Sequence, residues 1–253
     1  MELYFFRDYE FQKNYGTIKS IICEKKAASA LIIAADSKKR KETAKAAGKT
    51  TRRYLMEKKK LSRKTLKYYA RMAAETYVDD PVHVYATKNE NLRKKFLYHF
   101  MLERLSTSNG EDFIYEDEEK RGICIWRDAH NDYTMFDFLR CPNWVFLCVY
   151  NISLIRTLKV FSNLNNNVFE KGTLLISPVF VDSTHKGMGI GTKLIKKGIE
   201  DLVPLGYKLG LETQNPENVP FYEKLGFKTL EYKYFENVGI HNYYMVYEGK
   251  EKQ

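Results

Sequence analysis

Gly187, Gly189 and Gly191 stand at alternate positions between an apolar run ending at Val181 and a helix-like run from Gly191 to Leu202. Glycine has no Cβ, so a ligand can come close to its backbone. Successive N–H groups at a helix start make a site for an anion, and Lys186 adds a cation beside them. Three phosphate-binding designs compete. A P-loop requires a lysine after its last glycine, but Gly191 is followed by Thr192. A dinucleotide fingerprint requires G-x-G-x-x-G, and the spacing here is G-x-G-x-G. The third is a loop whose N–H groups surround a pyrophosphate. A tight strand–helix connection with no ligand has the same pattern, so the choice rests on residues downstream.

Downstream lie Glu212, Asn215, Asn218 and Tyr222. A phenol can give a proton to a leaving group, and a carboxylate can take one from a nucleophile. Each also has a purely structural reading. Tyr222, beside Phe221 on an amphipathic helix, would be core; Glu212 would be a strand-end carboxylate; Asn218 would cap a helix.

The elements that must position these groups follow from periodicity. Ser62 is a plausible N-cap for a helix with Leu66, Tyr69, Ala70, Ala73 and Tyr77 on one face, ended by Pro81. A second helix places Leu92, Phe96, Phe100 and Met101 on one face, with Arg93, Lys94 and Lys95 pointing away. "DFIYED" and "GICIWRD" flank the charged turn from Glu116 to Arg121 as a hairpin. Residues 134–162 have room for one or two helices. "TLLISPVFV" and "YKLGLET" are strands on either side of the glycine loop and its helix. Asn218 to Leu225 is a short helix with Gly226 past its end, and two further strands close the chain. The order predicts a mixed α/β layer structure around a sheet.

The chain has 253 residues and 44% hydrophobic content, enough for a core, and no apolar run of membrane-span length. "AASALIIAA", Ala27 to Ala35, follows Lys25 and Lys26 but leads to Asp36 and lysines rather than a clear cleavage site, so it is not read as a secretory signal. Cys23, Cys124, Cys141 and Cys148 form no CxxC and the five histidines form no HxxxH, so a metal site is unsupported. Cysteines this sparse suit a reducing cytoplasm. Net charge is +10, and residues 38–64 alone carry +11. Such a segment can bind nucleic acid or be a solvated helix face; only Tyr54 interleaves it.

"VFVDSTHKGMGIGTKLI", from Val179, followed about thirty residues later by "LETQNPENVPFYEKLGF", resembles the GNAT superfamily of acetyl-CoA-dependent N-acyltransferases. The family's coenzyme motif, Arg/Gln-x-x-Gly-x-Gly/Ala after a strand ending in valine, reads here as Lys186-Gly187-Met188-Gly189-Ile190-Gly191 after Val181, with lysine as a mild departure. The second motif runs from Asn218 to Phe227. "ETYVDDPV" and the hairpin ending in "GICIW" are similar to the branch containing puromycin N-acetyltransferase.

The resemblance implies an α+β fold with a mixed, mostly antiparallel sheet, flanked by helices and split between its two central strands. It implies acetyl-CoA as co-substrate and no metal. Val179, Phe180 and Val181 would pair with pantetheine, and an N–H near Phe180 would stabilise the thioester oxygen. The loop from Lys186 to Thr192 would hold the pyrophosphate, with Asn215 and Asn218 near the pantetheine amide. Tyr222 would be the general acid, and Glu212, or Asp182, the general base. Tyr77, Asp80 and Trp126 would face a cationic amine, although Asp79-Asp80-Pro81 also reads as a helix exit. The expected activity is acetyl transfer to the primary amine of a small molecule, in the cytoplasm. The reading from another class is a GNAT fold without turnover that senses acyl-CoA or bridges to nucleic acid through residues 38–64; Tyr222 and the glycines argue against it.

The resemblance begins near residue 58 and has no counterpart for residues 1–55, so the expected division is a basic extension, 1–55, and a domain, 56–253. A chain starting at Met56 is expected to fold and bind acetyl-CoA like the full chain by calorimetry. Aggregation or loss of binding would put the extension inside the domain.

Overall fold

A computed structural model describes residues 61–107, 112–131, 154–164 and 168–249. The expected extension, the basic run up to residue 60, the region 134–153, and Cys23, Cys141 and Cys148 lie outside the described residues. The described residues all fall within the unit Lys58–Gln253.

Helix α1, Arg63–Thr76, starts where the Ser62 hydroxyl accepts from the Thr65 N–H at 3.2 Å. It buries Tyr69, Ala70, Met72, Ala73 and Ala74. Pro81 does not close this helix. The chain leaves α1 at Tyr77, and Pro81 opens a new helix, α2, Pro81–Ala86. Proline has no N–H to lose in a first helical turn, and the Asp80 carboxylate caps that turn by accepting from the Val82 N–H at 3.0 Å.

Helix α3, Glu90–Ser106, packs Phe96, Leu97, Phe100, Met101 and Leu105 against α1. Arg93 corrects the sequence reading: it is buried. Its guanidinium donates to the Val78 carbonyl, to the Thr87 carbonyl at 2.8 Å and to the Lys88 carbonyl at 3.1 Å, with Asp79 at 3.6 Å. Connections between short helices leave carbonyls without intrahelical partners. Arg93 gathers three of them, and so fixes the segment carrying Tyr77 and Asp80.

Among the described residues six strands form one sheet in the order β1-β2-β3-β4-β6-β5. They are β1 Phe113–Glu116, β2 Gly122–Asp128, β3 Thr173–Val181, β4 Lys208–Thr213, β5 Phe227–Phe235 and β6 Ile240–Tyr247. Only β3 and β4 run parallel. Their connection carries α5, Ile190–Leu202; α4, Leu154–Asn163, precedes β3, and α6, Val219–Lys224, follows β4. Strand alternation divides the core. Ile123, Ile125 and Phe180 meet α1 and α3 on one face, while Cys124, Trp126, Ile176, Leu209 and Leu211 meet α5 and α6 on the other.

Trp126 has no exposed surface, and its indole lies directly beneath Gly198 of α5. A Cβ at residue 198 would stand 2.1 Å from Nε1 and 2.7 Å from Cε2. Glycine mid-helix costs about 1 kcal/mol against alanine, so the ring's depth sets this residue rather than helix propensity. Gly198→Ala is therefore expected to destabilise the domain by about 3 kcal/mol, the upper end of overpacking costs, in urea unfolding. Stability equal to wild type would show that α5 can stand off the sheet.

Candidate active site

The site begins where the two central strands part. β3 pairs with β4 only through Thr173–Leu175 against Lys208–Gly210. Beyond that, β3 stays on β2 as far as Val181 opposite Gly122, and β4 stays on β6 as far as Thr213 opposite Tyr243. A wedge opens between them. Its cause is local. Between the pairs Cys124–Val179 and Trp126–Ile176, β3 has two residues, Ser177 and Pro178, against Ile125 alone. Such a bulge bends and twists its strand, and Pro178 brings no N–H to a ladder. The Ser177 hydroxyl is buried and accepts from the Arg104 guanidinium of α3, which holds the bend in place.

The directions of the β3 backbone follow from the register. The Gly122 carbonyl accepts from the Asp117 N–H at 3.0 Å, toward β1, and the Asp182 N–H donates to the Arg121 carbonyl at 2.7 Å. Antiparallel pairs alternate, so Phe180 turns its N–H and C=O to Ile123. Its side chain is buried against α1 and α3. The donors left for a ligand belong to Val179 and Val181, not to Phe180. The carbonyls on that side accept from α1 and its end: Val179 from the Tyr77 hydroxyl at 2.6 Å, Val181 from the Thr76 hydroxyl at 3.1 Å.

The glycine loop follows β3 directly. Asp182 accepts from the Thr184 N–H at 2.9 Å and rounds the first turn. The Thr184 hydroxyl, then that N–H and the charge of nearby His185, hold its carboxyl below the usual range, so Asp182 is spent on the turn and is poorly suited as a base. Gly189 takes φ +76° and gives α5 no side-chain cap. Among the described residues nothing lies within 4 Å of where a Cβ would stand at Gly187 or Gly189. The first bond of the helix runs from the Lys193 N–H to the Gly189 carbonyl at 2.9 Å. The N–H groups of Ile190, Gly191 and Thr192 therefore have no partner within the helix and suit an anion. Lys186 and Met188 are exposed beside them.

Tyr222 lies on α6 in the cluster that includes Leu211 of β4, Ile176 of β3 and Cys124 of β2, with Val179 and Val181 packed against it. It thus shares one apolar cluster with side chains from both sides of the wedge. Burial, and then the neighbouring Cys124, push its phenol well above the ordinary range, so it stays protonated as a donor. Tyr77 is raised in the same way, by burial and then by Tyr222 itself. Two protonated phenols are near enough to feel each other. Cys124 is fully buried and its thiol is also pushed up, which leaves no thiolate to act as nucleophile.

Glu212, on β4, accepts from the Asn242 amide at 2.7 Å. The cap expected of Asn218 comes one turn earlier, from Asn215 at the start of the short turn Pro216–Asn218. Asn215 supplies the side-chain cap, accepting from the Glu217 N–H at 3.0 Å. Asn218 makes no side-chain cap, and its amide donates to the Thr213 hydroxyl at 3.3 Å, tying α6 to the end of β4. Of the expected acceptor residues, Tyr77 and Asp80 stand three apart on the segment fixed by Arg93. Trp126 does not join them. It lies in the core on the α5 face and has no ring surface to offer an amine.

Residues 111–227 match the sequence profile of the acetyltransferase (GNAT) family. The match spans the wedge, the glycine loop and the helix that carries Tyr222. The fold agrees with solved structures at low identity. A histone acetyltransferase and related acetyltransferase from Corynebacterium glutamicum aligns with TM-score 0.52 at 14% identity, over 77% of this chain and 96% of that one. An N-acetyltransferase from Staphylococcus aureus aligns with TM-score 0.50 at 16% identity, over 74% and 98%. GNAT acetyltransferases take acetyl-CoA as acyl donor. The uncapped start of α5 and the clear space over Gly187 and Gly189 fit its pyrophosphate. Among the described residues no cluster of His, Cys, Asp or Glu is arranged to hold a metal ion, and no helix is long and apolar enough to cross a membrane.

Gly189→Asp would place a side chain and a negative charge over the GNAT loop. Acetyl-CoA affinity measured by calorimetry is expected to fall at least tenfold, about 1.4 kcal/mol, with an unchanged circular dichroism spectrum. Unaltered affinity would remove the loop from the coenzyme site.

Proposed function

We propose that residues 56–253 transfer the acetyl group of acetyl-CoA to the primary amine of a small molecule by direct attack on the thioester. The observation that carries this is the wedge: two open donors on β3 face it, and a protonated phenol on α6 borders it. Acetyl-CoA supplies an activated acyl carbon and a thiolate leaving group. Val179 or Val181 donates an N–H to the acyl oxygen, where charge develops during attack. Glu212 takes the proton from the amine, directly or through water, since only a neutral amine is nucleophilic. Tyr222 gives its proton to the departing sulfur. Cys124, held as a thiol inside the core, offers no route through an acyl-cysteine. Asp80 and the Tyr77 ring line the acceptor side. The resemblance to the branch containing puromycin N-acetyltransferase, whose members act on varied amines, leaves the identity of that amine to experiment.

Thiol release from acetyl-CoA across a panel of aliphatic, aromatic and aminoacyl amines tests the proposal. At least one small amine is expected to raise release well above the rate in water. Release that no amine stimulates, with acetyl-CoA bound, would favour an acyl-CoA sensor instead.

Tyr222→Phe keeps the ring and removes the donor. General acid catalysis is commonly worth about 10² to 10⁴ in rate, so kcat is expected to fall in that range while acetyl-CoA affinity stays within a few-fold. The loss should shrink with an acyl donor whose thiol is more acidic. A wild-type rate, with chemistry limiting, would reduce Tyr222 to core packing.

A further inference from the structure

Asn242 is a polar residue with no exposed surface, on β6 between buried Ile240 and buried Tyr244. An apolar side chain would fill that place equally well, and a buried amide is costly unless its groups are paired. Both ends of this one are. Its Nδ2 donates to Glu212 Oε1 at 2.7 Å, and its Oδ1 accepts from Gln214 Nε2 at 2.6 Å. The register explains how the three meet. Glu212 stands opposite Tyr244 and Thr213 opposite Tyr243. Glu212, Gln214 and Asn242 therefore lie on one face, with Asn242 a diagonal neighbour of Glu212.

The polarity of the chain is not arbitrary. An ionised carboxylate only accepts, so the Asn242 NH₂ must turn to Glu212. The Asn242 carbonyl then needs a donor on its far side, and Gln214 provides it. The outcome is a carboxylate whose oxygen is held from a fully buried, doubly anchored amide. A proton acceptor works only when held close to its productive geometry, and a shift of about 1 Å can cost about 10²-fold in rate. We propose that Asn242 is a positioning residue: it holds the Glu212 carboxylate toward the amine, and Gln214 holds Asn242. The inference rests on the reading of Glu212 as the base.

Turnover of the fastest amine in the panel, with acetyl-CoA, is measured for Glu212→Gln, Asn242→Leu, Asn242→Asp and the double variant Glu212→Gln/Asn242→Leu. Asn242→Leu is expected to lower kcat by about tenfold to a hundredfold and leave the acetyl-CoA KM within about twofold. Asn242→Asp keeps the shape, loses the donor and is expected to fall likewise, which covers a leucine variant that does not fold. A residue acting through Glu212 has nothing left to lose once Glu212 is gone. The double variant should therefore be no slower than Glu212→Gln alone. Losses that multiply in the double variant would make Asn242 an independent packing residue and overturn the inference. So would a wild-type kcat in both Asn242 variants beside a slow Glu212→Gln. A Glu212→Gln enzyme as fast as wild type fails differently: it removes the base from the proposed reaction, and Asn242's role with it.

Discussion

The parting of β3 from β4 is the constraint from which the rest of the site follows. Parallel strands pair along their length unless something bends one of them, and here the bend is two residues of β3, Ser177 and Pro178, against one of β2. Arg104 of α3 holds Ser177, so the bend is buttressed from the helical layer. Upstream of it β3 is an interior strand like any other. Downstream, Val179 and Val181 have backbone groups that no strand takes. The turn into the glycine loop begins one residue later, so the same strand that opens the wedge also leads to the uncapped start of α5.

Two other contacts set distances around that opening. Trp126 and Gly198 let α5 settle closely on the sheet, and this decides how far the Ile190, Gly191 and Thr192 N–H groups stand from the wedge. Arg93 does the corresponding work on the other face. By gathering the carbonyls of Val78, Thr87 and Lys88 it fixes the turn between α1 and α3, and so where the Tyr77 hydroxyl can reach. Each device is a single side chain filling a need left by backbone geometry.

What could be read from the residues follows this division. The Ser62 cap, the strand Thr173–Val181, the uncapped glycine loop and a phenol on the helix after β4 were legible, because local spacing or a two-part motif specifies them. Arg93 was misread as solvent-facing because a helical pattern shows neighbours on the same helix, not carbonyls from a turn packed against it. Trp126 was placed with the acceptor because an aromatic residue near a charged turn looks available until the covering helix is known. Pro81 both follows one helix and opens the next, and only Asp80's cap separates those readings. The N–H expected near Phe180 belongs to its neighbours Val179 and Val181, because Phe180 turns its own to Ile123. That depends on which pairs in a ladder exchange bonds, which is decided by β1 and β2 rather than by β3. Asn242 carried no signal, since its meaning arises only from a diagonal across two strands.

The Thr76 and Tyr77 hydroxyls on the Val181 and Val179 carbonyls have a consequence for solubility. A sheet that splits in its middle makes two new edges inside the domain, and unpaired edges invite other strands to add to them. Protruding charges and prolines, the usual deterrents on an outer edge, would obstruct the wedge between β3 and β4. Two hydroxyls on the acceptors are a lighter deterrent. They leave the Val179 and Val181 donors open while depriving an intruding strand of half the bonds that would hold it. The slot between β3 and β4 thus keeps its donors on β3 open while the acceptors beside them are already taken.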